Sequence, residues 1–149
     1  QTTAIAVMGD ARGKLADIFD FEIYNLGYLS DTQQLVACYN AADVFVLPSL
    51  SENLPNTIME AMACGVPCVG FDVGGIPEEI DHQQNGYVAQ YRSVDDLARG
   101  LRWVLCEADY DQLRREALHK VAMHYSQQAV AKQYIEVYRQ ALTHKNPYL

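Results

Sequence analysis

Short apolar runs alternate along this chain with longer stretches in which apolar residues recur every three or four positions. Ala4-Ile5-Ala6-Val7-Met8 closes at Gly9-Asp10 and reads as a buried strand, and Phe21 to Leu26 alternates up to Gly27 as a second. Ser30-Asp31 can cap a helix with Leu35, Val36 and Tyr39 on one side. Asp43 to Leu47 is a continuous apolar strand ending at Pro48, of the kind found in parallel sheets. After a loop from Ser49 to Pro55, a helix runs through Ala63 and is stopped by Gly65 and Pro67. Pro67 to Phe71 is a further strand, Ile76 to Asp81 a short helix, and Gly86 to Ala89 a last strand. Beyond it the chain is helical: Ser93 and Asp96 form a capping box, and two more helices span Asp111 to about Tyr125 and Ser126 to about Leu142. Strands alternating with helices predict an α/β fold, a parallel sheet covered on both faces, with ligands beyond the carboxyl ends of the strands. Length, 149 residues, fits one domain over 1–149.

Composition narrows the function. Apolar residues make up 50% and charged residues 20%, so the chain can bury a core and is not a disordered tract. The net charge of −8 offers no basic face for nucleic acid or an anionic membrane. No apolar run is long enough to cross a bilayer, so no transmembrane segment is expected. The start at Gln1 has no basic leader and is not Met, which predicts a piece cut from a longer protein. Cys38, Cys64, Cys68 and Cys106 lack metal-site spacing and read as core thiols in a reducing compartment. His82, His119, His124 and His144 show no metal pattern either, and no metal is expected.

The loop from Pro48 to Glu60 concentrates the chemistry. Glu52 lies beyond a strand end and Glu60 one turn inside the next helix, a spacing of eight residues. A helix start presents unpaired N–H groups and a positive dipole end, a site for phosphate. A carboxylate beside it can accept hydrogen bonds from sugar hydroxyls, so the pattern suggests a sugar nucleotide. Structural readings stand beside this one. Thr57-x-x-Glu60 is also a capping box, Asn56 and Thr57 are good caps, and Glu52 fits a solvated loop. Gly74-Gly75 fits a tight turn, Tyr28 a core-edge aromatic, and Glu78 and Glu79 the acidic start of a short helix.

From Asp43 to Ala89 the chain resembles the C-terminal, Rossmann-like donor domain of a GT-B glycosyltransferase. The likeness is to the large retaining group 1 (GT4-like) family with a paired-glutamate E-x7-E motif. The match runs through Ala42-Asp43-Val44-Phe45-Val46-Leu47-Pro48-Ser49, Glu52 to Glu60, Glu60-Ala61-Met62-Ala63-Cys64-Gly65-Val66-Pro67, Gly74-Gly75-Ile76-Pro77-Glu78-Glu79-Ile80 and Asn85-Gly86-Tyr87-Val88. Gly27-Tyr28-Leu29 and the Tyr125–Tyr138 segment extend it, and Glu52 to Asn56 with His82 to Gly86 is nearest to capsular or exopolysaccharide members.

The resemblance implies roles. Glu52 is the catalytic carboxylate facing the donor sugar, with the Asn53 and Leu54 amides on that sugar. Asn56, Thr57 and Ile58 hold the diphosphate, Glu60 the ribose, Tyr28 and Leu29 the base, and Gly74 and Gly75 lie near the donor. It also implies transfer of a hexose-type sugar, with retention and without metal or other cofactor, to a growing glycan or lipid-linked acceptor bound by an absent N-terminal domain. The location implied is cytoplasmic, or peripheral to the inner membrane through that domain, and the piece alone is expected to be inactive. Asn53 stands where many members carry Gly; its tolerance of left-handed backbone predicts that the loop shape is kept. The family's phosphate-binding Arg and Lys lie further upstream, and Arg12 and Lys14 do not match them. The same fold also hosts sugar-nucleotide epimerases, and a non-catalytic nucleotide-sugar-binding module is the third reading.

Overall fold

The computed structural model describes residues 3–9 and 21–143, so Arg12, Lys14 and His144 lie outside the described residues. Its contacts form two compact units, Gln1–Cys38 and Tyr39–Leu149.

In the first unit, strands β1 (Ala4–Met8) and β2 (Glu22–Gly27) pair in parallel, with a register shift between Val7 and Met8. Ala4 and Ala6 are exposed, so β1 is half-buried rather than the fully buried strand its composition suggests. Helix α1 (Thr32–Ala41) begins where Asp31 Oδ1 accepts the Gln34 N–H at 2.9 Å, the expected acidic cap. Its last turn carries Tyr39, which belongs to the second unit.

The second unit holds a parallel sheet in the order β3 (Phe45–Leu47), β4 (Cys68–Phe71), β5 (Gly86–Ala89). The central strand β4 is buried throughout, which explains its unbroken apolar sequence. Side chains alternate across it. Val69 and Phe71 join Tyr87, Ala89, Val104 and Leu113 in the core on one side, beneath α4 (Val94–Arg102). Cys68 points to the other side, where its thiol lies 3.8 Å from the Ile58 carbonyl of α2 (Asn56–Ala63). A Cβ on Gly70 would come within 3.0 Å of Ile76 in α3 (Ile76–Glu79), so this face of β4 lets α3 settle closely.

The remaining helices are α5 (Tyr110–Lys120) and α6 (Gln127–Thr143). Both α4 and α5 run on into a π-helical turn, Trp103–Glu107 and Val121–Tyr125, closed by Ala108 N–H to Trp103 O and Ser126 N–H to Val121 O. Ser93 caps α4 by accepting from Asp96 N–H. The reciprocal half of the expected box is absent: Asp96 instead accepts from Tyr87 Oη and from Gln90 N–H, and that backbone bond above all holds its carboxyl below the ordinary range. In α6 the sequence sets Val130, Tyr134, Val137, Tyr138 and Ala141 along one side, a pattern that predicts packing, and the structure departs from it. Tyr134, Val137 and Tyr138 are each about 60% exposed, and the two tyrosine rings lie 6.2 Å apart, tilted by 42°.

Candidate functional site

The segment between β3 and α2 lies at the carboxyl end of the sheet, where the sequence places its chemistry. Two glycines fix its path. Gly74, at φ +56°, lies so close to the Glu52 carbonyl that a Cβ has no room, and a Cβ on Gly75 would strike the Asn53 carbonyl and the Leu54 side chain. Gly75 N–H also donates to Asn53 O. The Gly74-Gly75 turn therefore clamps residues 52–54 against the start of α3, which is more than making a tight turn. Tyr91 Oη ties the same segment from outside by donating to Leu50 O at 3.0 Å. Among the described residues, positive φ at a non-glycine occurs at Gln83 and Arg92, so Asn53 holds its place without a left-handed backbone.

Helix α2 then starts with Pro55, buried and extended, at the cap position, and no side chain caps it. The capping readings of Asn56, Thr57 and Glu60 are thereby set aside. Among the described residues no acceptor takes the N–H of Asn56 or Thr57. The third amide of the set differs: Ile58 N–H donates to Pro55 O at 3.0 Å, and the Ile58 side chain is wholly buried. Two free amides at the positive end of a helix dipole favour an anion.

The glutamates flank this helix start. Glu52 is half-buried in the loop and Glu60 is exposed on α2. Glu60 Oε2 accepts a 3.0 Å hydrogen bond from Tyr39 Oη. Tyr39 is 3% exposed, and burial, with the Glu60 carboxylate second, raises the pKa of its phenol and keeps it a donor. The Cys64 thiol is likewise pushed up by burial and by Glu60.

Sequence reasoning missed Glu79. Read as a dipole-complementing acid, it turns inward instead and is wholly buried; neither carboxylate oxygen meets a hydrogen-bond donor. Burial first, then the charges of Glu52 and Glu78, push its carboxyl from 4.5 up to about 7. The signal available was its place after Pro77-Glu78, where a four-residue helix leaves Ile76, Glu79 and Ile80 to face the core.

In the first unit, Tyr28 and Leu29 follow β2; Tyr28 is 87% exposed and Leu29 half-buried, so Tyr28 is not a core-edge residue. Among the described residues, no group of His, Cys, Asp and Glu could hold a metal ion, and no helix is long and apolar enough to cross a membrane. All four cysteines are free thiols. A depression of about 560 Å³ is lined by Asp72, Pro77, Asp81, His82 and Gln84 among others, and neither Glu52 nor Glu60 lines it.

Comparison with known proteins bears on the family and the fold. D-inositol 3-phosphate glycosyltransferase of Saccharomonospora viridis is 30% identical over 110 residues, covering 74% of this chain and 26% of that protein. Among solved structures, sucrose-phosphate synthase of Thermosynechococcus elongatus superposes with a TM-score of 0.76 at 23% identity, over 94% of this chain and 38% of that one. Anabaena HepE in complex with UDP-glucose gives 0.72 at 21% identity, over 91% and 40%. These likenesses place the fold among GT-B glycosyltransferases. The chain spans between a quarter and two fifths of the length of the relatives it matches. The family model described as glycosyl transferases group 1 matches residues 2–107, and the chain belongs to that family.

Proposed function

We propose that this chain is the donor-binding part of a retaining glycosyltransferase that moves a hexose-type sugar from a nucleotide-sugar to a glycan or lipid-linked acceptor. The observation that supports this reading is the start of α2: two unpaired amides, Asn56 and Thr57, between a loop carboxylate and a helix carboxylate. The diphosphate sits on those amides, and the start of the helix, Ile58 included, adds its dipole. Glu60 accepts from the ribose hydroxyls. Glu52 accepts from hydroxyls of the donor sugar, steadied by the Asn53 and Leu54 amides and by the glycine clamp. The Tyr28 ring, with Leu29, takes the base.

In the reaction the bond between the anomeric carbon and the diphosphate oxygen breaks, and its electron pair leaves with the diphosphate. The acceptor oxygen forms the new bond to that carbon on the face the diphosphate leaves, so the configuration is kept, and gives its proton to the departing diphosphate oxygen. Helix amides aimed at the leaving diphosphate stabilise charge that grows in the transition state, and no metal is invoked for it. Glu52, beside the sugar, favours the positive charge that develops on the ring.

Product analysis of the full-length protein tests the reading. A nucleotide-sugar labelled in the sugar is incubated with lipid and glycan extracts, and both pools are analysed. Label in an acceptor, with the donor's anomeric configuration, supports retaining transfer. An epimerised nucleotide-sugar supports the epimerase reading instead, and hydrolysis or no change supports a binding module.

A further inference from the structure

We infer that Tyr39 is a positioning residue for Glu60: a buried phenol that holds the ribose-binding carboxylate in one orientation. The inference rests on the reading of Glu60 given above. Glu60 is exposed, and an exposed glutamate on a helix samples several rotamers. Here it is tethered. Tyr39, from the last turn of α1, donates its hydroxyl proton to Oε2 at 3.0 Å. The donor is itself fixed, being 3% exposed and packed edge-on against Phe45 at the start of β3, with ring centroids 5.6 Å apart at 77°.

A helical side chain leans toward its helix N-terminus, which carries Glu60 toward the Asn56 and Thr57 amides. One oxygen is held from the protein side, and among the described residues Oε1 has no partner. It is free to accept from a vicinal diol. A phenol has one proton to give, so it orients the carboxylate without competing for the ligand's hydroxyls as an acceptor. Preorganising a charged acceptor lowers the ordering cost at binding.

The test uses the full chain, with UDP, GDP and ADP and the 2′-deoxy and 3′-deoxy forms of each as probes. Dissociation constants are measured for the unsubstituted chain, Tyr39→Phe, Glu60→Gln and the double variant, with inorganic pyrophosphate as a ligand lacking ribose. Tyr39→Phe keeps the ring and its packing on Phe45. It is expected to weaken the ribonucleotide about three- to tenfold while leaving the deoxy form and pyrophosphate unchanged. Added to Glu60→Gln it is expected to change nothing further, the signature of one coupled pair.

Equal weakening of all ligands by Tyr39→Phe overturns the inference, because that is a merely structural role. So does an unchanged preference for ribose in Tyr39→Phe when Glu60→Gln abolishes it, and then the reading of Glu60 stands. A preference for ribose that survives Glu60→Gln, or no binding of any of these nucleotides, overturns the reading of the site and the inference with it.

Discussion

Glu79 offers a stability test with a worked magnitude. Its carboxyl is wholly buried without a hydrogen-bond donor, and its pKa stands at about 7 against an ordinary 4.5. The sign follows from linkage. The folded state binds the proton more tightly than the unfolded state, so stability is highest below pH 4.5 and falls as pH rises toward 7. At about 1.4 kcal/mol for each pH unit, the loss is about 1 kcal/mol at pH 5 and about 3 kcal/mol at pH 8. Glu79→Leu, near in volume and free of charge, removes the whole dependence. Urea unfolding of both proteins, compared pH by pH, cancels every other titrating group. The variant should be more stable at pH 8 by about 3 kcal/mol, a midpoint shift of roughly 1.5 M for a slope near 2 kcal/mol per molar. That advantage should shrink by about 2 kcal/mol at pH 5. An advantage that does not change with pH, or a variant less stable than the parent at pH 8, would refute the buried, unpaired carboxylate.

Two further outcomes follow from the loop. Gly75→Ala places a methyl against the Asn53 carbonyl and Leu54, and should lower stability by about 2 kcal/mol and weaken donor binding together, read by thermal unfolding and by nucleotide-sugar titration. Glu52→Gln should weaken a nucleotide-sugar about tenfold while leaving the matching nucleoside diphosphate unaffected, because the loop carboxylate is assigned to the sugar alone.

Much of the fold was legible because its elements are locally determined. Asp31 and Ser93 cap their helices as their chemistry dictates, and β4 and β5 follow from unbroken apolar runs bounded by Pro67, Gly74 and Gly86. Hydrophobic period misled at α6, where Tyr134, Val137 and Tyr138 lie along one side yet stay exposed: a periodic face says what can be buried, not what covers it. It misled again at Glu79, since a four-residue helix is too short for composition to tell an inward from an outward carboxylate. The loop from Ser49 to Pro55 was legible as a candidate site from its place after a strand and before a helix. Its partners were not, because Tyr39 reaches Glu60 across 21 positions and Gly74 meets Glu52 across α2 and β4. Pairings at such separation are set by packing, and no local spacing encodes them.

The central claim is that the start of α2 between Glu52 and Glu60 binds a nucleotide-sugar. Saturation-transfer NMR on this chain with UDP-, GDP-, ADP- and dTDP-glucose tests it most directly, since the method reads affinities down to the millimolar range. The account predicts that one of the four gives both ribose and sugar signals, and that Glu60→Gln loses the ribose signals. Signals from none of the four, or ribose signals that survive the substitution undiminished, would contradict it.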